Sequence, residues 1–284
     1  MTVRVSVPAT SANLGPGFDS IAAALSPRLV LTAERADEFS ITTNIDVPSD
    51  RSNLLVQAFE RVMSADGVRL TVESEIPLCG GLGSSACAVL AGILAAKALG
   101  GECDDPLALA IEVDGVADNS TAAYHGGVAV HVGGQVAKLT VPASISGLVV
   151  VPQHSVHTEA ARDVLPAEVP IDDAVANAGY AVLLGAGLAT GDTGLLARGL
   201  HDQIHQRRRS TLYPNSWELL GKVTELGAIG ATISGSGSAV LVWVEDVAAD
   251  AVRERLSDHV GDWASVMAVD FEPVGATVDG VAVA

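Results

Sequence analysis

Val3, Val5 and Val7 alternate with Thr2, Arg4 and Ser6, so the chain opens as a strand with one buried face. The run SANLGPGFD breaks that alternation with Gly and Pro. Residues 29–45 return to β-branched alternation and predict one or two strands. The period then changes: Leu54, Leu55, Ala58, Phe59 and Val62 recur at helical spacing over 53–64. Residues 69–76 alternate again. A glycine-rich turn leads into a long apolar helix from about Ser85 to Leu99, and Asp105-Pro106 reads as the cap and first residue of the next helix. Residues 126–141 predict a hairpin turning at Gly133-Gly134, and 146–152 a short apolar strand buried on both faces. Further on the pattern predicts helices near 158–165, 173–189, 192–208 and 216–226, and strands near 229–234, 238–244 and 264–272. Helices and strands mixed in both halves argue for an α+β protein of two lobes, 1–146 and 147–284.

Composition narrows the function classes. Apolar residues make up 49% of 284 but aromatics only 4%, so Ala, Val, Leu and Ile must build the core. The formal charge of −18, with no basic stripe to offset it, excludes a nucleic-acid partner. It does not exclude a phosphate ligand, because backbone N–H groups alone can make such a site. The three cysteines, Cys79, Cys87 and Cys103, have no CxxC spacing and read as reduced thiols of a cytoplasmic protein. No signal-peptide core opens the chain. The most apolar stretch, 86–99, is too short for a membrane span and contains Lys97.

Three segments carry candidate chemistry. The first, PLCGGLGSSAC, comprises Pro77, Leu78, Cys79, Gly80, Gly81, Leu82, Gly83, Ser84, Ser85, Ala86 and Cys87. It stands between a predicted strand and a predicted helix. Glycines let backbone approach a ligand, the free N–H groups of a helix start point at it, and the helix dipole adds about half a positive charge. Hydroxyls at Ser84 and Ser85 can reach phosphate or Mg²⁺. The segment is neither a Walker sequence nor a dinucleotide fingerprint. The second, PATSANLGPGFD over 8–19, sets Asn13 and Asp19 directly after a strand; Asn13 can donate and accept, and Asp19 can take an ammonium group. The third, GATISGSGSA over 230–239, is another Gly/Ser loop between strands and contains Ser234 and Gly235. Each alone also fits an ordinary tight turn.

Together, in this order and at these distances, the three resemble the signature motifs of the GHMP kinases, and PATSANLGPGFD is most similar to the homoserine kinases among them. The resemblance spans 8–239. It implies an N-terminal lobe like ribosomal protein S5 domain 2 and a ferredoxin-like C-terminal lobe, with ATP and Mg²⁺ between them. It implies phosphoryl transfer from ATP to the side-chain hydroxyl of homoserine, on the route to threonine, and leaves a homodimer open. By the same resemblance 77–87 holds the ATP phosphates and Asn53 lies near the adenine. Arg162 and Arg209 grip the substrate carboxylate, and Asn13, Asp19, Ser234 and Gly235 complete the substrate site. Ser84, Ser85 and Asp114 hold Mg²⁺, and Asp114, Asn119 and Ser85 form the catalytic set.

The chain departs from the family where EGHPDN is usual: it reads Asp114-Gly-Val-Ala-Asp-Asn119. Asp114 stands in the Glu place with a shorter side chain, and Glu112 is the alternative ligand. Val116 replaces a histidine that touches substrate, so the acceptor could be a related hydroxy amino acid such as threonine. His125 is the one nearby residue able to compensate, or else a packed structural histidine. A non-catalytic metabolite-binding relative is the remaining alternative.

Overall fold

Two separate sheets organise the chain in the computed structural model, which describes residues 1–78, 80–154 and 158–284. Strand β1 (Thr2–Ala12) pairs antiparallel along its whole length with β2 (Ile21–Arg35). The far half of β2 pairs with β4 (Val68–Ser74), which takes β3 (Ser40–Thr43) parallel at the edge. The near half of β2 pairs with β5 (Val128–Val132), which continues into β6 (Gln135–Leu139). The predicted first strand thus runs on through PATSA, since Ala9, Thr10, Ser11 and Ala12 are all buried against β2.

Four helices complete this half: α1 (Leu54–Glu60), α2 (Ser84–Ala98), α3 (Pro106–Asp114) and α4 (Ala117–His125). Helix α2 is apolar around nearly its whole circumference, as suits a helix buried from Val89 to Ala96, with only Ser85 and Lys97 fully exposed. It packs on α1 at such close range that a Cβ on Gly92 would lie 2.3 Å from the Leu55 carbonyl oxygen. Asp105 caps α3 through the Ala108 N–H, as the sequence indicates.

The second sheet has the order β10-β7-β9-β8, built from β7 (Ile145–Pro152), β8 (Gly230–Ile233), β9 (Val240–Glu245) and β10 (Ala264–Val269). Between β7 and β8 come α5 (Thr158–Asp163), α6 (Ile171–Thr190), α7 (Thr193–Gly199) and α8 (Pro214–Leu220); α9 (Ala249–Val260) precedes β10. The helix expected over 192–208 stops at Gly199, whose Cβ position is filled by the Leu184 backbone of α6 at 2.3 Å. Beyond it Asp202 caps a run of turns through the N–H groups of Ile204, His205 and Gln206. After the second sheet the chain returns to the first, where short strand β11 (Thr277–Val278) pairs with β1 and β12 (Val281–Ala282) pairs with β11 at the edge. No helix among the described residues is long and apolar enough to cross a membrane.

Candidate active site

Hydrogen bonds tie the three glycine-bearing segments into one constellation. Thr10 N–H donates to the Leu82 carbonyl, and Gly235 N–H to the Ala12 carbonyl. The Ser234 hydroxyl bridges Ser11 and the Gly81 carbonyl, and Asn13 Nδ2 donates to the Gly235 carbonyl at 2.7 Å. They enclose a cavity of about 320 Å³ whose walls include Asn13, Asp19, Gly80, Gly81, Gly83, Ser84, Ser85, Ala86, Asp114, Asn119, Arg162, Arg209 and Gly235.

One end of the cavity is backbone. Gly83, at φ +66°, is the cap position of α2 and offers no side chain to it. The first intrahelical bond is Cys87 N–H to the Gly83 carbonyl, so the N–H groups of Ser84, Ser85 and Ala86 have no intrahelical acceptor. Only glycine fits here: a Cβ on Gly83 would sit 1.9 Å from Thr10 Oγ1, and one on Gly81 would sit 2.2 Å from the Ser234 carbonyl oxygen. Ser85 Oγ donates to Asp114 Oδ1 at 2.9 Å, which brings a carboxylate to the helix start. Burial raises the Asp114 pKa, and the Ser85 bond offsets part of that rise. Glu112, the alternative ligand, instead pairs with Arg61 at 2.7 Å and does not line the cavity.

The other end is charged. Asp19 stands in a turn where Asn13, Leu14 and Asp19 all adopt positive φ, a cluster of strain typical of functional loops. Arg162, on α5, forms a bidentate pair with Asp19. Arg209 is only 2% exposed. Its Nε donates to the Ala161 carbonyl and its Nη1 to the Gly235 carbonyl and His205 Nδ1, while its guanidinium lies over the Phe18 ring. Among the described residues no carboxylate stands within ion-pair distance of it. An arginine can only donate and a carbonyl can only accept. His205 is therefore neutral, with its proton on Nε2 facing the Gly15 carbonyl at 2.9 Å, and burial lowers its pKa accordingly.

Between the two ends lies Asp118, a residue that pattern reading passed over in favour of Asn119. It is buried on α4, lines the cavity, and its pKa is pushed up to about 7, chiefly by burial, against the opposing bond from Asn119 N–H. Asn119 accepts from Thr10 Oγ1 at 2.6 Å and so braces the floor under Gly83. The signal for Asp118 was its place four residues after Asp114, in a segment with no helical apolar period to reveal α4.

Several expected site residues do other work. Asn53 caps α1, accepting from Leu55 N–H and donating to the Pro48 carbonyl, and it does not line the cavity. Ser234 is a buried bridge behind the wall. Leu82 and Cys87 face the core, the Cys87 thiol donating to the Pro8 carbonyl, while Pro77 and Leu78 lie outside the lining. Cys79 lies outside the described residues. Val116 does line the cavity. His125 does not: it ends α4 with its ring against Tyr124, so it cannot replace the missing histidine.

Unsatisfied amides at a helix start, a carboxylate beside them, and an acid–arginine cluster across one small cavity are what phosphoryl transfer to a small polar alcohol requires, and the two sheets that frame them are those of a GHMP kinase. The models for the GHMP kinases N terminal domain and the GHMP kinases C terminal domain match residues 53–127 and 184–262. Homoserine kinase of Desulfitobacterium hafniense is 36% identical, over 91% of this chain and 92% of that one. Homoserine kinase of Clavibacter michiganensis is 37% identical, over 98% and 94%. The crystal structure of homoserine kinase from Cytophaga hutchinsonii superposes with a TM-score of 0.86 at 28% identity, covering 98% of this chain and 97% of that one. The chain belongs to the homoserine kinase family.

Proposed function

We propose that the protein transfers the γ-phosphoryl group of ATP to the side-chain hydroxyl of L-homoserine, giving O-phospho-L-homoserine. The observation that carries this reading is the polarity of this one cavity: bare amides and a carboxylate at one end, and at the other, beside Asp19 and Arg162, a buried Arg209 with no acidic ion-pair partner among the described residues. An arginine taken out of water without a counter-ion is costly, and an amino-acid carboxylate supplies one.

The N–H groups of Ser84, Ser85 and Ala86 bind the phosphates. Asp114 with the Ser84 and Ser85 hydroxyls is a hard-oxygen donor set that fits Mg²⁺ when phosphates fill the other positions. The ion supplies charge neutralisation at the transferring group. Asp19 takes the substrate ammonium, and Arg162 and Arg209 its carboxylate. Asp118, poised near neutrality inside the cavity, accepts the proton that the attacking hydroxyl releases. Asn119 and Gly235 hold the walls at the reacting distance. Residues 1–146 form the nucleotide lobe and 147–284 its partner, except that 277–282 are counted with the first. The surroundings are the cytoplasm.

A coupled assay of ADP release with homoserine, threonine and mevalonate tests the reading. Homoserine is expected to give the highest kcat/KM. Preferential turnover of threonine would place the acceptor with the apolar wall at Val116, and no ADP release with any of the three would make the chain a metabolite-binding relative.

A further inference from the structure

His205 is fully buried, and both of its ring nitrogens are engaged. Nε2 donates to the Gly15 carbonyl at 2.9 Å, and Nδ1 accepts from Arg209 Nη1 at 3.2 Å. The ring stacks on Phe18 with centroids 5.3 Å apart, and the Arg209 guanidinium lies over the same Phe18 ring. One side chain thus joins the strained turn after β1 to an arginine that lines the cavity, while His205 itself does not line it. Asp202 is the nearest acid, with Oδ1 3.8 Å from Nε2, beyond hydrogen-bond reach. Its oxygens already accept the N–H groups of Ile204, His205 and Gln206.

We propose that His205 is a positioning residue for the transfer reaction: as a neutral ring it fixes the plane of the Arg209 guanidinium and ties that plane to the turn carrying Asn13 and Asp19. The inference rests on the assignment of Arg209 to the acceptor carboxylate made above. Nε of Arg209 is held by the Ala161 carbonyl and Nη1 by the Gly235 carbonyl and His205, which leaves Nη2 as the donor open to a ligand. The donors of a guanidinium share one rigid plane, so a tilt that frees Nη1 also carries Nη2 away from its partner. The two carbonyls accept whatever the pH. His205 is the member of this cradle that titrates: a proton on Nδ1 would face Arg209 donor to donor and set a second positive charge beside a buried one. Burial holds the His205 pKa below its ordinary value and the Arg209 charge adds to that, against the pull of Asp202 and Asp19.

The test compares two variants of the full chain. His205→Phe keeps a ring against Phe18 but has neither nitrogen; His205→Gln offers one acceptor and one donor, as the neutral imidazole does. In steady-state kinetics His205→Phe should raise KM for homoserine about tenfold or more, with KM for ATP within about twofold of wild type and a smaller change in kcat. His205→Gln should recover most of that loss. An unchanged KM for homoserine in His205→Phe, an equal rise in both KM values, or a Gln variant as impaired as the Phe variant would each overturn the positioning role. Arg209→Lys separates this inference from the reading beneath it. A wild-type KM for homoserine in that variant would remove Arg209 from the acceptor site, and the role of His205 with it. A raised KM there, beside an unchanged one in His205→Phe, would overturn the positioning role alone. A measurement without substrate completes the test. In the ligand-free protein labelled with nitrogen-15 histidine, the ring signals that vanish in His205→Gln should be those of a neutral imidazole protonated on Nε2, from about pH 7.5 down to about pH 6. A protonated Nδ1 at either pH would overturn the proposal.

Discussion

At the scale of single residues, Asp118 and Arg209 are buried ionisable groups lining the cavity that a sequence read as surface polarity would discard. The folded pKa of Asp118, about 7, lies above its ordinary 3.8. Its contribution to stability is therefore fully present below about pH 4 and lost as pH rises through 7, because above that point the native state must hold an ionised buried carboxyl. Asp118→Asn should stabilise the ligand-free protein by about 2–4 kcal/mol at pH 8 and by almost nothing at pH 4, read by denaturant unfolding at the two values. The same variant should lose about 10²–10⁴-fold in kcat if the carboxyl takes the proton. Arg209→Lys keeps the charge but not the fork that reaches two carbonyls and a histidine at once. It should raise KM for the amino acid by about tenfold or more with a smaller effect on KM for ATP, measured by steady-state kinetics.

At the scale of elements, the helix start at Ser84 and the cap at Asn53 make a contrasting pair. Gly81 has its Cβ position occupied by the Ser234 backbone, so Gly81→Ala must push apart two motifs rather than one side chain. That substitution should abolish detectable ATP binding in a titration while much of the secondary structure seen by circular dichroism remains. Asn53→Ala removes only a cap: it should cost about 1 kcal/mol in unfolding and leave KM for ATP unchanged, which separates a structural role from the adenine contact that resemblance implied. These elements also show what was legible. The strands β1, β4 and β7 and the helices α2 and α3 follow directly from alternation, apolar runs and an Asp-Pro start. Helix α4 was hidden because its buried face is Asp118, Ser120, Thr121, Ala122 and Ala123, which no hydrophobic period reports. Helix α9 is legible in Val252, Leu256 and Val260 at steps of four, a helical period that the expectations for 246–260 do not include. The glycine motifs announced the phosphate end of the site. The acceptor end was legible only through family likeness, since nothing local to Arg209 distinguishes it from its exposed neighbour Arg207.

At the scale of the whole molecule, the first sheet is finished by residues from the far end of the sequence. Val5 pairs with Val278, Arg4 N–H bonds Asp279 Oδ1 across 275 residues, and Ala276 N–H bonds the Ala123 carbonyl at the back of α4. Deleting 277–284 should therefore lower the melting temperature and weaken ATP binding, although no deleted residue lies in the cavity; a truncated protein with wild-type affinity would show that α4 holds its place unaided. The arrangement also limits how the cleft can work. The second sheet is moored at two points, by the passage from β6 to β7 and again by the return from β10 to β11. A body held by two ropes cannot swing or twist freely as it would on one. At the cavity itself Gly235 N–H bonds the Ala12 carbonyl and Asn13 Nδ2 bonds the Gly235 carbonyl, a third tie between the halves, so parting them would first have to break bonds that shape the site.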